Sequence, residues 1–298
     1  MRITFQSQYR DAAAAINEAS SQLVDIQRQV STGRRINTAS DDPSASASAI
    51  NERSQMAQVE QYTRAANSMA ARLNVTDTVM SNIISKLTSA QSTAMSAQGS
   101  GKTQNELESV AQKLEGLRSS LLTDFNSTFH GTYIFAGAAA TTKPFVEGVG
   151  GTVGPYAGST SEVAVDVGQD RVVTVGFDGD EIARGADADD VFAVLEDLIA
   201  AVRAGDATGM ETGATGIMRA FDRASAAQTR IGVALNAIES EHSRLQEMKL
   251  AATKRLSDLE DADMVAAISS MRRAEAAYEA ALGAVGSANR VSLMDYLG

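Results

Sequence analysis

The chain has 298 residues, of which 44% are hydrophobic and 5% aromatic, and its formal net charge is −11. The absence of cysteine excludes disulfides, thiolate metal sites and cysteine nucleophiles, and the two histidines, His130 and His242, leave little for a histidine-based triad or metal site. No apolar run approaches the length that crosses a membrane, and the N-terminal segment lacks the apolar core and cleavage site of a secretory signal peptide.

The negative charge is concentrated in one part of the sequence. Residues 161–200 contain eleven acidic and two basic residues, whereas the remainder of the chain is close to neutral. We expect this segment to face solvent, and its charge argues against nucleic acid as a partner. The nearly neutral parts of the chain can associate, so the sequence predicts protein partners and neither nucleic acid nor membrane.

The first predicted helix covers residues 10–32. Its apolar residues recur at alternating spacings of three and four, which predicts a narrow stripe of the kind that packs in coiled coils. The stripe consists of Ile16, Ala19, Leu23, Ile26 and Val30. Gly33 follows directly, where the end of a helix favours a residue that can adopt positive φ.

A short loop is predicted between this helix and the next, and its last residues are Ser40, Asp41, Asp42 and Pro43. Proline suits the first helical position because its missing N–H would be unbonded there anyway. Asp42 is placed to cap the new helix and to complement its dipole. The sequence therefore predicts that one helix ends near Gly33 and that another begins at about residue 44.

Residues 44–98 predict one long helix, since the alternating spacing is kept over five heptads. After a break at residues 99–101, Thr103 and Glu106 have the spacing of a capping box and predict another, antiparallel helix. The break reads Gly-Ser-Gly-Lys-Thr, which also suggests a phosphate-binding loop. It lacks the first glycine of that motif, with Ser96 in its place, and it follows a helix instead of a strand.

Residues 146–190 favour β-structure. Valines alternate in Val163–Val167, a second strand is predicted over Val172–Val175, and Asp178-Gly179 is typical of a turn. The next helix is predicted at residues 189–204. The sequence thus changes from helical to β patterning and back within its middle third.

A Gly/Thr-rich break is predicted at 205–216, followed by a long helix from about residue 217 in which His242 falls on the apolar stripe. An acidic interruption at 258–263 precedes a last helix. Its residues at heptad spacing are Ile268, Met271, Glu275, Tyr278, Leu282, Val285 and Asn289. Because a stripe that includes Glu275 and Asn289 is weakly stabilised alone, we expect the chain ends to be loose in the monomer and ordered against neighbouring copies.

Together these patterns predict a mainly α fold with a small β insert, in which the N- and C-terminal regions form a long antiparallel helical bundle or coiled coil. The predicted parts are an N-terminal axial helix and loop at 1–44 that pair with a C-terminal axial helix at 256–298, a helical rod domain at 45–138 and 191–255, and a β-rich outer domain at 139–190. For the stripe of residues 50–120, an ordinary intramolecular core is the alternative.

Other features leave alternatives open. The carboxylates clustered at residues 178–190 are oxygen ligands that could hold calcium weakly, although their spacing is not that of an EF-hand loop. Two triplets, at Asn74 and Asn126, match the glycosylation sequon. No set of acid, base and nucleophile surrounds either histidine, so the sequence predicts no catalytic residue, metal or cofactor.

The segment QVSTGRRINTASDDPSASA, which contains Gly33 and residues 40–43, resembles the N-terminal signature of the bacterial flagellin superfamily. The C-terminal run from Leu256 is similar to the C-terminal segment of the same superfamily. The matching positions there are Glu260 to Asp263, Ala288-Asn289 and Ser292-Leu293.

Within that superfamily, two features resemble the branch that joins hook to filament. One is the segment GTYIFAG followed by Pro-Phe, whose matching residues are Gly131, Tyr133, Phe135, Gly137, Pro144 and Phe145. The other is VFAVLEDLIAAVRAGD at residues 191–206. The chain departs from the branch at Thr132, where a basic residue is usual, and its ending differs from that of filament flagellins.

This resemblance implies a structural subunit that is not an enzyme and that is exported unfolded, without a signal peptide, by the flagellar type III pathway. It implies self-assembly into a ring or helical layer, another hook-associated protein on the hook side, flagellin on the filament side, and a cytoplasmic export chaperone at the C-terminal helices. The residues expected at the assembly interface lie on the terminal helices: Ile16, Leu23, Ile26, Val30, Ile268, Met271, Tyr278, Leu282 and Val285. A filament flagellin and a cytoplasmic coiled-coil binding module are the alternatives.

Overall fold

In a computed structural model, which describes residues 5–99, 101–148, 151–169 and 171–297, the chain is mostly helical. It divides into two compact units. The terminal unit comprises Met1–Gln58 with Glu247–Gly298, and the central unit comprises Val59–Gln246. Two long helices each contribute residues to both units.

The helices and strands follow one another in an order close to the predicted one. They are α1 (Phe5–Thr32), α2 (Pro43–Ala97), α3 (Gln104–Phe125), β1 (Thr128–Phe129), β2 (Thr132–Tyr133), β3 (Val163–Gly168), β4 (Arg171–Gly176), α4 (Gly179–Ala183), α5 (Val191–Ala204), α6 (Ala207–Glu260) and α7 (Met264–Leu297). The capping box at Thr103 and Glu106 is present at the start of α3. In the terminal unit α1 packs on α7.

The core of the central unit is built from the predicted stripe of α2 together with α3, α5, α6 and the segments between them. Four phenylalanines lie at its centre, with ring centroids 5.0–5.7 Å apart in the contacting pairs. These are Phe125, Phe135, Phe145 and Phe192, and each is almost completely buried. Large buried side chains exclude water from this unit and supply most of its stabilisation.

The β-structure is smaller than predicted. β1 pairs with β2 and β3 with β4, both antiparallel, and the two pairs form separate two-stranded sheets. Val167, Val173 and Val175 are buried in the same core as the helices. A separate β-rich domain at 139–190 is therefore not confirmed, because short two-stranded sheets need a helical surface to bury their apolar side.

Arg72 of α2 connects the helices to both hairpins. Its guanidinium donates to the Tyr133 carbonyl and the Thr132 hydroxyl of the first hairpin, and to the Val175 carbonyl of the second at 3.2 Å. Burial lowers the pKa of Arg72. One partly buried side chain thus satisfies acceptors on both sheets, which periodicity alone did not indicate.

The predicted break at 205–216 is wrong, since only Gly205 and Asp206 separate α5 from α6. The glycines of this segment are helical and face α5. A Cβ atom on Gly213 would lie 2.8 Å from the Cβ atom of Leu198, and one on Gly216 would lie 2.6 Å from Val194. Glycine is retained here because the two helices approach closely, not because the chain turns.

The predicted place of His242 on the apolar stripe of α6 is also corrected. The neighbouring Glu241 is the buried residue, with a side chain 1% exposed, and its carboxylate contacts Arg244 at 2.6 Å and Arg171 at 3.8 Å. A Cβ atom on Gly168 would lie 2.0 Å from the Glu241 carboxylate, so a side chain at this end of β3 would displace that buried carboxylate. Glu241 therefore anchors the hairpin to α6.

Candidate assembly surface

The loop after α1 and the connector before α7 are joined by main-chain hydrogen bonds. The Arg35 N–H donates to the Glu260 carbonyl at 2.6 Å, and the Ala262 N–H donates to the Gly33 carbonyl at 2.9 Å. Arg34 and Asp261 form the antiparallel bridge between them. We call residues 33–36 with 260–262 the joint. Because α1 ends and α7 begins at the joint, the two helices run antiparallel.

The predicted loop residues form the turn that leads from α1 through the joint to α2. Gly33 has a φ of +69°, as its position after the helix requires. The carboxylate of Asp41 accepts hydrogen bonds from the Thr38 hydroxyl at 2.7 Å and from the N–H groups of Asn37 and Thr38. These bonds, led by the Thr38 hydroxyl, lower the pKa of Asp41 to about 2. Ser40 contributes through its hydroxyl, which lies 2.9 Å from that of Thr38.

Asp42 caps α2 as predicted, and Pro43 is its first residue. The Asp42 carboxylate accepts from the Ala45 N–H at 3.0 Å and from the Ser44 hydroxyl at 2.9 Å. The Ala45 bond, more than the nearby Arg35, lowers the pKa of Asp42. The loop motif therefore closes one helix and opens the next. Sequence reasoning missed Asn37 and Thr38, whose partners are set by the folded loop.

Among the described side chains of the helix pair α1–α7, only alanines are fully buried. On α1 the predicted residues Ile16, Leu23, Ile26 and Val30 are all half-buried. On α7 the buried residues are Ala267 and Ala274, one position before the predicted Ile268 and Glu275. The structure thus rotates the buried row of α7 by one residue. The Asn289 side chain lies outside the described residues.

This rotation divides the predicted residues of α7 into two groups. Met271, Tyr278 and Val285 are half-buried beside the alanines. Ile268 and Leu282 are 41% and 45% exposed. Two branched apolar side chains are therefore exposed on the surface of α7.

The terminal unit buries little apolar volume and exposes much. Among the residues whose side chains the structure describes, its buried apolar set is Ile36, Ala49, Ala252, Ala267 and Ala274. Its large exposed apolar side chains include Val24, Ile50, Leu250, Met264, Val265, Ile268 and Leu282. Val265 is 82% exposed and Leu250 is 72% exposed. Among the described side chains, the terminal unit therefore exposes more large apolar residues than it buries.

The second predicted motif lies in the central unit and is internal. Gly131, with a φ of +80°, follows His130, with a φ of +49°, in the turn between β1 and β2. Phe135 and Phe145 belong to the phenylalanine cluster, Pro144 is buried, and Tyr133 is half-buried. Gly137 has a φ of +56°, and a Cβ atom there would lie 1.9 Å from the Ser159 carbonyl oxygen. This motif therefore positions the hairpin on the helices.

Two polar side chains that sequence reasoning did not select complete this region. Asn126 donates to the Phe145 carbonyl at 2.9 Å and accepts from the Phe145 N–H at 3.1 Å, so its amide is engaged and cannot serve as an open glycosylation site. The Tyr156 hydroxyl lies 3.0 Å from the Phe135 carbonyl oxygen. Burial, with the nearby charge of Asp178, raises the pKa of Tyr156 to about 12.

The described carboxylates of the acidic segment cap helices and pair with arginines. Among the described residues, no three histidine, cysteine, aspartate or glutamate side chains converge. Asp178 and Asp190 cap α4 and α5, so the predicted turn at Asp178-Gly179 is the start of a short helix. Asp187 binds Arg219 and Arg223, and the Arg219 contact in particular lowers the pKa of Asp187. No helix of the described chain has both the length and the apolar character to cross a bilayer.

Two family models match the chain. The model of the bacterial flagellin N-terminal helical region matches residues 3–140, and that of the flagellin C-terminal helical region matches residues 215–297. The first match contains α1, the joint residues 33–36 and α2, and the second contains most of α6 with α7. The residues of the terminal unit that form the exposed apolar surface fall within these two matches.

Relatives of known name cover almost the whole chain. It is 28% identical to flagellar hook-associated protein 3 of Escherichia coli, over 98% of each chain, and 26% identical to that of Salmonella typhimurium, over 94% of each. The fold resembles a putative flagellar hook-associated protein from Vibrio parahaemolyticus, with a TM-score of 0.70, 20% identity, and coverage of 74% of this chain and 100% of the other. The flagellar junction protein of Legionella pneumophila gives a TM-score of 0.60 at 12% identity, covering 72% of this chain and 100% of the other.

Proposed function

Because the chain belongs to the bacterial flagellin superfamily, we propose that it is a structural subunit of the flagellum that joins hook to filament. Its relatives are named for the hook and not for the filament, which favours the junction over a filament flagellin. The observation that carries the proposal is the composition of the terminal unit. That unit buries alanines and exposes valine, isoleucine and leucine.

In this proposal, the exposed apolar side chains of the terminal unit supply free energy for assembly. Each large apolar residue that leaves water on association contributes free energy in proportion to its buried area, about 25 cal/mol per Å². Ile268 and Leu282 lie fourteen residues apart, which is four turns of α7, so they occupy nearly the same face. Neighbouring copies that cover this face stabilise α1 and α7 beyond what their own contact provides.

We therefore propose a ring or helical layer of identical copies, with another hook-associated protein on the hook side and flagellin on the filament side. The subunit is exported unfolded by the flagellar type III pathway, with a cytoplasmic chaperone at the C-terminal helices. The outer turns of α1 and α7 become fully ordered on assembly, so polymerisation is coupled to folding. The resemblance of both ends to flagellin supports this sequence of events.

A deletion strain tests the role in cells. Loss of this protein leaves hooks intact and releases filament subunits into the medium, because the filament has no layer on which to grow. Loss of a filament flagellin would instead remove the filament protein itself. Presence of the protein only in the cytosol of motile cells would contradict the proposal and favour a cytoplasmic binding module.

A matched pair of variants tests the surface. In the deletion strain, Ile268→Asp places a charge on the apolar face of α7 and reduces the number of filaments at least tenfold. Ser269→Asp adds the same charge at the next exposed position and retains most of them. Both purified variants keep the unfolding midpoint of the parent chain, since neither residue is buried. Equal assembly by the two variants would show that this face is not the interface.

A further inference from the structure

Among the described residues, two charged side chains are buried, Glu241 and Glu260, and both belong to α6. Glu241 anchors a hairpin of the central unit, as described above. Glu260 lies at the end of α6, within the joint, and its side chain is 5% exposed. A buried carboxylate is costly unless it is paired and hydrogen-bonded, so its partners indicate what it holds.

Two arginines from different elements meet the Glu260 carboxylate. Arg53 of α2 contacts it at 2.7 Å and Arg34 of the loop at 3.6 Å. We call Glu260, Arg34 and Arg53 the Glu260 cluster. Both arginines remain about half exposed, so their charged groups reach the carboxylate from the surface. One side chain thus ties the end of α6 to the loop after α1 and to the first turns of α2.

Hydrogen bonds from Arg35 to main-chain carbonyls beside the cluster also connect the loop after α1 to the end of α6. The Arg35 guanidinium donates to the Leu259 carbonyl at 2.9 Å, and the Arg35 N–H donates to that of Glu260. These carbonyls belong to the last turn of α6, which lacks intrahelical donors. Asp263 then caps α7 by accepting from the N–H groups of Val265 and Ala266 at 2.9 and 3.1 Å. The end of one helix and the start of the next are therefore both fixed within the connector.

Apolar packing in the joint region does not fix the orientation of the connector between α6 and α7. The buried apolar residues of the joint region are Ile36 and Ala49. Small side chains pack with similar energy in several orientations, whereas paired charges and hydrogen bonds require specific distances and angles. The orientation of the connector must therefore come from the polar contacts.

We propose that Glu260 is a positioning residue that fixes the direction in which the α1–α7 pair leaves the joint. The inference rests on the proposed function in one respect, since that direction sets how the pair meets neighbouring copies. The Glu260 cluster holds the base of the pair, while the outer turns become ordered on assembly. Loss of the cluster lets the pair change its angle without loss of helix.

Spin labels test this on the free subunit. The chain has no cysteine, so Asn51→Cys and Ser269→Cys, both at exposed positions of the terminal unit, take labels on α2 and α7. Pulsed electron paramagnetic resonance measures the distance between the two labels, and we expect a single narrow distribution in the otherwise unchanged chain. In Glu260→Gln the distribution is at least twice as wide, while the circular dichroism signal of helix is unchanged. Amide exchange of Arg35 and Ala262 becomes at least tenfold faster.

Three further variants make the outcome decisive. Asp25→Asn removes a solvent-exposed ion pair with Arg28 in the same unit and leaves the distribution narrow. Arg53→Gln repeats the measurement if Glu260→Gln does not fold, and Arg53→Lys restores most of the narrow distribution. A parent distribution as wide as that of the variants, or narrow distributions throughout, would overturn the proposal. A failed deletion experiment would overturn the junction role alone, because the distances are measured without assembly.

Discussion

The terminal and central units share the same helical patterning but are stabilised in different ways. The central unit buries four phenylalanines and many leucines and isoleucines, whereas the terminal unit buries alanines, Ile36 and the paired Glu260. A large apolar core is stabilised without regard to direction, but charge pairs and main-chain bonds specify an orientation. The comparison suggests that the central unit supplies stability, and that the terminal unit supplies orientation and an unpaired apolar surface.

The two buried glutamates show the difference most directly. Glu241 lies within a unit whose core already excludes water, so its contact with Arg171 adds one link between the β3–β4 hairpin and α6. Glu260 lies in a unit with a thin core, so its arginines carry a larger part of the local order. Similar chemistry is therefore a local anchor in one unit and a principal support in the other.

The largest expected effect comes from the central core. Phe125→Ala removes a fully buried ring that contacts three other phenylalanines, and we expect the free energy of unfolding to fall by about 3–5 kcal/mol. Chemical denaturation of the central-unit transition measures this. Leu250→Ala, at an exposed site of the terminal unit, changes the same free energy by less than about 0.5 kcal/mol. Equal losses of unfolding free energy in the two variants would show that the central unit does not depend on its apolar core more than the terminal unit does.

A smaller effect is expected at Arg72. Arg72→Met keeps much of the side-chain volume but leaves the Val175 and Tyr133 carbonyls without their donor, and we expect a loss of about 1–3 kcal/mol. Hydrogen exchange rises in both hairpins and not in α7. Arg64→Met, at an exposed position two turns earlier on α2, is the control and changes neither quantity. Unchanged exchange in one hairpin would assign Arg72 to the other alone.

Two glycines of α6 separate close packing from helix propensity. Gly213→Ala introduces a methyl group against Leu198, which costs about 1–3 kcal/mol in strain and exceeds the gain in helix propensity of about 1 kcal/mol. Gly232→Ala meets no atom within 4 Å and therefore stabilises by up to about 1 kcal/mol. Thermal unfolding distinguishes the two. A stabilised Gly213→Ala variant would mean that α5 shifts at little cost.

The smallest expected effect is a loss of stability of the loop around Asp41 at low pH. The pKa of Asp41 is lower in the folded loop than its ordinary value of 3.8, so its contribution to stability is complete above about pH 4 and is lost as the pH falls through about 2. Amide exchange of Asn37 and Thr38 should therefore increase over that interval. In Asp41→Asn this pH dependence is weaker, while exchange in the central core remains unchanged. An identical acid response in both chains would contradict the assigned hydrogen bonds.

The sequence alone determined the features that depend on neighbouring residues. The bounds of α2, the start of α3, the caps at Asp42 and Thr103, the turn at Gly33 and the β3–β4 hairpin all follow from local rules of periodicity, capping and turn chemistry. The pairing of the terminal helices was expected from an apolar stripe at each end of the chain. The loop motif and the C-terminal pattern were also sufficient to indicate the superfamily.

Only the tertiary structure decided which of two adjacent rows faces inward. A spacing of three and four is satisfied on α7 by the row of Ala267 and Ala274 or by that of Ile268 and Glu275, and contact with α1 selects the alanines. The same choice places Glu241 inside and His242 at the margin on α6, and close approach to α5 keeps Gly213 in a helix. Periodicity fixes that a helix has a buried face, but its rotation depends on partners distant in the sequence.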